Sequence, residues 1–244
     1  MKNLLPPVPK KIRKNFESHG DLRVDNYYWL RDDKRKKKSI IKYLEAENRY
    51  SNNWLKKYKD YSKSIFQYYK NSIPKFEEGI KTEIGKYRYF STVNITDEYR
   101  KYYRIFKKKK KLILDVNKLA KNKKYYDLSS IHPSRDHRFI AYGEDINGRR
   151  EFSIIIKDID KNKILERNLC TSTGNIIWNK ESNGYFYLKK DPKTLITNSL
   201  YFHRIGEQAK KDKLIYKESD RQFNLSISLS RTKKYIFLQI SKTE

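Results

Sequence analysis

Apolar residues follow two different rhythms along the chain, and the change comes near residue 80. Ahead of it, Trp54, Tyr58, Tyr61, Ile65, Tyr68 and Tyr69 recur at three- and four-residue steps, drawing one stripe along a helix. Such a stripe is expected to be core. Pro74 closes that helix, because the residue before a proline is pushed out of the helical region. A helix is also predicted just before it, carrying Ile40, Ile41, Leu44 and Glu45, with Ser39 as its cap. Residues 1–35 read as an extended arm. Its Tyr27, Tyr28, Trp29 and Leu30 must be buried against something, since four such side chains in water would make a sticky patch. The run Lys34 to Lys38 reads as a solvated connector.

From Lys81 onward the runs are short and strand-like. They are Tyr87–Phe90, Tyr102–Phe106, Leu112–Leu114, Phe139–Tyr142, Phe152–Ile156, Gly184–Leu188, Leu200–Phe202 and Tyr235–Leu238. Polar clusters separate them, among them Asn147-Gly148, a strong hairpin signal.

A longer period lies on top of the strand rhythm. The polar stretches Ser134–Arg138, Asn179–Gly184 and Ser230–Lys234 each follow a short apolar strand and lead into an aromatic-rich one. The aromatic positions 139, 185 and 235 are spaced by 46 and then 50 residues. Propeller blades, each a four-stranded sheet, repeat at roughly 40 to 50 residues, whereas a sandwich would space its strands evenly without that period. The fold class expected is therefore mainly β: an incomplete β-propeller of about three blades, preceded by an N-terminal arm and two α-helices. Residues 1–80 would form the arm and helical segment and residues 81–244 the partial propeller. Blades that cannot close expose sheet edges, so the chain taken alone reads as incomplete.

Composition changes the picture in one respect. The 244 residues carry a formal charge of +28, the usual footprint of a partner with a phosphate backbone. Lysines outnumber arginines 41 to 16, however, and are spread over the whole chain. Arginine is the residue of bidentate phosphate and base-edge recognition. Codon drift in an A+T-rich genome accounts for the charge better, leaving non-specific binding of polyanions at low salt. The one cysteine, Cys170, rules out an intramolecular disulfide and a Cys-rich zinc site. No apolar stretch approaches the roughly 20 residues of a membrane span. With no secretory signal visible, no membrane association and a cytoplasmic location are expected.

The run His19-Gly20-Asp21-Leu22-Arg23-Val24-Asp25-Asn26-Tyr27-Tyr28-Trp29-Leu30-Arg31-Asp32-Asp33, followed by Tyr43-Leu44-Glu45-Ala46-Glu47-Asn48, resembles the N-terminal region of the prolyl oligopeptidase family of serine peptidases, the oligopeptidase B (protease II) branch most of all. Further matches in the right order are Leu112–Asn117, Asp145–Glu151, Lys190–Leu195 and His203–Gly206. The turn Ser134-Arg135-Asp136-His137-Arg138 departs from that family's usual Ser-Pro-Asp-Gly type. The resemblance implies an arm, the first blades of a seven-bladed propeller, and a C-terminal α/β-hydrolase catalytic domain that is absent from this sequence. It also implies hydrolysis of short peptides after Lys or Arg.

The chain itself offers little chemistry. Its glycines stand at 20, 79, 85, 143, 148, 174, 184 and 206, and no two are four apart, so the Gly-x-Ser-x-Gly turn of a serine hydrolase is missing. Gly143 and Gly148 have the spacing of a phosphate loop, but Arg149-Arg150 follows in place of Lys-Ser/Thr, and the stretch reads as a hairpin. His132 and His137 are five apart, which does not suit a helical zinc site. With His203 they read as turn or surface residues, and His19 as the maker of a structural hydrogen bond. The acidic pairs Asp32-Asp33 and Glu77-Glu78 read as solvated. No catalytic, cofactor-binding or metal-ligating residue is nominated, and no cofactor is expected.

Three functions follow. The first is the propeller-bearing portion of an oligopeptidase B-like peptidase, inactive alone, with a separate catalytic α/β-hydrolase chain or an intact peptidase subunit as partner. Short basic peptides would be substrates only with that domain supplied. The second is a basic propeller-remnant module that binds nucleic acid or acidic protein. The third is a structural partner docking on an intact subunit through the arm and the Trp54–Tyr69 stripe.

Overall fold

The structure, a computed structural model, describes residues 5–242 and divides into two units, Met1–Pro74 and Lys75–Glu244. In the first, β1 (Lys14–Ser18) and β2 (Asp21–Asp25) pair antiparallel around His19-Gly20, a two-residue turn with φ +56° and +80° at its centre. Both signs suit the right-handed twist of a hairpin. His19 is exposed there and its side chain makes no hydrogen bond among the described residues, which overturns the bond expected of it.

The aromatic motif that follows is half-buried rather than enclosed. Tyr28 packs edge-on against Phe16 at 4.8 Å with the Lys14 ammonium 3.7 Å over its ring. Trp29 donates from Nε1 to the Lys10 carbonyl at 2.7 Å and meets Tyr43 edge-on, while Tyr27 remains exposed. Asp32 is more than solvated: its carboxylate accepts the backbone N–H groups of Lys34, Lys36 and Lys37, and those bonds, Lys37's first, lower its pKa. Asp33 pairs with Arg31 at 3.1 Å.

Helix α1 (Lys38–Leu55) starts where the Asp32 turn ends, so Ser39 lies inside the first turn and is not the cap. A 3₁₀ turn, Lys56–Tyr58, joins it to α2 (Lys59–Ser72), and Ile73 is extended before Pro74, as the proline requires. The aromatic stripe is thus divided, with Trp54 on α1, Tyr58 in the link and the rest on α2. It is not core: Trp54, Tyr61, Tyr68 and Tyr69 are all more than half exposed. A 3.6-residue period reports that one face is apolar; it says nothing of what covers that face.

The second unit is built from blades. The first has β3 (Phe76–Glu78), β4 (Thr82–Ile84), β5 (Tyr87–Asn94), β6 (Lys101–Phe106) and β7 (Lys109–Asp115) in one antiparallel sheet. Helix α3 (Val116–Ala120), its first turn closed by the Asp115 carboxylate on the Asn117 N–H, leads to β8 (Asp127–Leu128) and β9 (His132–Pro133). These lie along β10 (Phe139–Asp145), followed by β11 (Phe152–Asp158) and β12 (Lys163–Trp178). β10 and β11 form the hairpin expected at Asn147-Gly148, but through a six-residue loop. The buried Asp145 carboxylate organises it by accepting the N–H groups of Asn147, Gly148 and Arg150.

Strand β12 serves two blades. Its first part pairs with β11, its end with β13 (Gly184–Lys190), and the register breaks between Ser172 and Ile176. The third blade continues with β14 (Thr197–Arg204) and β15 (Lys213–Lys217), and β16 (Asn224–Leu229) with β17 (Ile236–Ser241) begins a fourth. Mainly β architecture with blades is what the longer period predicted, and the two leading helices are where the three- and four-residue steps put them.

Two-residue alternation explains the packing. Successive side chains of a strand point to opposite faces, and inner blades bury both. Ile140 and Tyr142 of β10 join Tyr89, Ile113, Leu114 and Ile155 between the first and second blades. Phe139 and Ala141 face the other way, into a core with Ile154, Ile156, Ile176, Trp178, Tyr185 and Tyr187. Leu188, Leu200 and Leu225 form the third layer. Each large side chain so buried contributes about 1.5–3 kcal/mol.

Candidate functional site

The innermost strands β4, β9, the end of β12 and β16 surround a cavity of about 740 Å³. One turn is built three times along the blades, and its first and third copies give the cavity Ser134, Arg135, His137 and Lys233. Ser134, Asn179 and Ser230 each donate a backbone N–H to the carbonyl five residues on, at 2.9, 3.0 and 2.8 Å. Each also accepts that residue's N–H with its side-chain oxygen, at 2.9, 3.1 and 3.0 Å. Three residues into each turn the backbone is left-handed, at His137 (φ +61°), Ser182 (+57°) and Lys233 (+58°). The equivalent strand-leading positions are thus 139, 184 and 235, so the middle member of the sequence register moves by one residue. The first blade replaces this turn with a two-residue hairpin containing Gly85 (φ +58°).

The turns are tied to one another across the blades. Tyr89 Oη lies 3.0 Å from His137 Nδ1, the Asp136 N–H donates to Ser182 Oγ at 3.2 Å, and Arg135 Nη2 donates to the Lys233 carbonyl at 2.9 Å. Gly85 must be glycine on two counts, because a Cβ there would also come within 2.8 Å of His137 Nε2. Arg104 of β6 adds a buried tie, donating to the His137 carbonyl at 2.6 Å and to Asp160 at 2.5 Å. His132 lies on β9 at the cavity wall, and its backbone carbonyl takes the Trp178 Nε1 proton at 2.9 Å. Burial lowers the pKa of His132 and of His137, which favours neutral rings at neutral pH. Of the histidines read as turn or surface residues, only His137 is in a turn.

His203 is the larger correction, for it is buried on β14, opposite Tyr185 of β13. Its Nδ1 is 2.6 Å from Asp212 Oδ1 and its Nε2 is 2.8 Å from Glu166 Oε1, the second contact lying off the line of a hydrogen bond. Burial alone would lower the imidazole pKa; Glu166 and then Asp212 outweigh it and raise the value. Tyr187 Oη donates to Asp212 at 2.7 Å and Tyr185 Oη to Glu166 at 3.3 Å. This carboxylate–imidazole–carboxylate chain clamps β12, β14 and the approach to β15. No sequence signal marked it, because Glu166 and Asp212 reach His203 only through the β12–β13–β14 pairing.

Nothing in these groups resembles a nucleophile beside its base. The Cys170 thiol is pushed up to about 11 by burial, so almost none of it is thiolate at neutral pH. Gly143 sits inside β10 and Gly148 in the β10–β11 loop, so no phosphate loop exists between them. Among the described residues no set of three His, Cys, Asp or Glu side chains is placed to hold a metal ion, and no helix is long and apolar enough to cross a membrane.

Comparison with known proteins agrees with this architecture. A model described as the prolyl oligopeptidase N-terminal beta-propeller domain matches residues 6–244. Dipeptidyl aminopeptidase BI of Pseudoxanthomonas mexicana is 30% identical over 261 residues, covering 98% of this chain and 35% of that protein. Protease 2 of Moraxella lacunata is 29% identical over 245 residues, covering 96% and 35%. The solved structure of oligopeptidase B from Leishmania major superposes with a TM-score of 0.90 at 23% identity, over 97% of this chain and 36% of that one. The chain therefore spans about a third of the length of these relatives.

Proposed function

The chain belongs to the prolyl oligopeptidase family, and from that premise we propose that it supplies the arm and first blades of an oligopeptidase B-like serine peptidase. The blades would border the route by which short peptides reach a catalytic α/β-hydrolase domain, which cuts after Lys or Arg. The observation that carries this reading is the thrice-repeated turn of the blades, two copies of which line one cavity, within residues 6–244 matched by the family's propeller domain. The peptide bond itself is cut by none of the residues present here. That cut needs a nucleophile with a base beside it and an oxyanion site, which the catalytic domain would supply. The catalytic α/β-hydrolase domain is not among the residues present here, and the setting is the cytoplasm.

The test is direct. Incubated with an arginyl or lysyl peptide reporter, the purified chain gives no turnover. Adding the hydrolase portion of a relative restores turnover that a serine-directed inhibitor abolishes. Inhibitor-sensitive hydrolysis by the chain alone would overturn the reading.

A nucleic-acid-binding role is favoured only by the charge of +28. Several aromatic faces that could stack on bases are already covered by lysines: Lys110 lies 4.1 Å over Tyr103 and Lys57 4.5 Å over Trp54. Binding to DNA or RNA is expected to vanish by moderate salt, without a definite site size.

A further inference from the structure

The cavity at the blade axis has a chemical bias that the peptidase reading leaves unused. Among the described residues that line it there are Arg135, Lys233, His132 and His137, and no Asp or Glu. Much of the remaining wall is apolar, including Ile84, Ile131, Ile176, Trp178, Ile227 and Leu229. Two of the polar atoms are buried with no hydrogen-bond partner among the described residues: Arg135 Nε and His132 Nε2. Buried polar groups are almost always paired, and an orphan donor at the edge of a cavity calls for an acceptor from outside. Among the described residues Arg135 donates from Nη2 alone, to the Lys233 carbonyl, and that bond holds its guanidinium across the rim.

We propose that this cavity binds the terminal carboxylate of a peptide, with Arg135 and Lys233 supplying the positive charge and His132 Nε2 a neutral N–H. A carboxylate accepts from a guanidinium and an imidazole at once, and charge-assisted bonds of this kind are the strong ones. The apolar wall suits the side chains of a short peptide and offers little to a nucleic acid, whose phosphates need a basic track along the whole groove. The acidic neighbour Asp136 is already occupied, accepting from Ser134 Oγ at 2.5 Å and from the Arg138 N–H at 3.1 Å. The proposal rests on the peptidase reading for one point, that the carboxylate arrives on a peptide; the site itself belongs to this chain.

The experiment measures binding, not hydrolysis, so its failure leaves the peptidase reading standing and conversely. Calorimetry at physiological salt compares N-acetyl-tetra-alanine as the free acid and as the C-terminal amide, a pair that differs in one carboxylate. The free acid is expected to bind about tenfold more tightly. Arg135→Gln with Lys233→Gln is expected to erase that difference. Lys107→Gln with Lys108→Gln, which removes the same charge from a remote turn, is expected to leave it intact. Lys233→Gln alone keeps the Arg135 bond to the backbone carbonyl and guards against a folding defect; it is expected to lower the preference severalfold. Equal binding of acid and amide, absence of binding by both, or equal loss in the remote control would each overturn the proposal.

Discussion

Gly143 and Gly174 meet back to back between β10 and β12: a Cβ on Gly143 would lie 2.6 Å from the Gly174 Cα. Ser129 locks the approach, donating from Oγ to the Gly174 carbonyl at 2.8 Å and accepting the Gly143 N–H at 2.7 Å. Gly174 also holds φ +82° where β12 leaves one blade for the next. Gly143 cannot retreat without breaking its pairing with Ile154 on β11, and the Ser129 bond holds the Gly174 carbonyl in place. Gly143→Ala should therefore cost about 2–3 kcal/mol in urea unfolding, the range of a strained, overpacked core. A loss below about 0.5 kcal/mol would show that the strands part easily there.

Lys107 and Lys108 form the two-residue turn between β6 and β7 with φ +43° and +65°. Left-handed backbone costs an ordinary side chain roughly 1 kcal/mol, and Asn-Gly is the pair such turns prefer. Replacing Lys107-Lys108 by Asn-Gly should raise stability by about 1 kcal/mol and lower the local positive charge. Thermal unfolding with an unchanged or lower midpoint would contradict the turn geometry.

Phe66 and Tyr68 on α2 stand about two-thirds exposed, while Trp178 is 5% exposed, stacks near Phe139 and donates to the His132 carbonyl. Phe66→Ser and Tyr68→Ser should change unfolding free energy by less than about 0.5 kcal/mol each. Trp178→Ala should cost about 3–5 kcal/mol. Comparable losses at both places would mean that the α2 face is covered in the native protein.

What the sequence made legible was what depends on local period and spacing. Phe139-Ile140-Ala141-Tyr142 read as a strand, and the turns at 134, 179 and 230 read as a blade repeat, because alternation and turn chemistry are written residue by residue. The cover over an apolar face is not so written, and the Trp54–Tyr69 stripe misled for that reason. His203 was read as surface because its partners Glu166 and Asp212 are gathered by strand register. Ser39 is not a cap because the Asp32 carboxylate gathers the backbone N–H groups of the turn up to Lys37, and the helix starts one residue before Ser39.

His203 gives the structure a pH signature whose sign can be worked out. Its pKa is raised by Glu166 and Asp212 against the opposing effect of burial. A raised folded-state value contributes stability in full below the ordinary 6.5 and loses it as pH rises through the raised value. Glu166 runs the other way. Burial would raise its pKa, but His203 and the Gly206 N–H lower it, so its share is present above 4.5 and is lost as pH falls through the lowered value. The net charge of +28 imposes its own trend, so the quantity to read is the difference between the native chain and His203→Asn. That difference, from urea midpoints between about pH 5 and about pH 9, should be largest near pH 5–6 and shrink as pH rises. Its maximum should approach about 3 kcal/mol, since the substitution strands two carboxylates without their cation. A difference constant across that range would mean that His203 acts by packing alone.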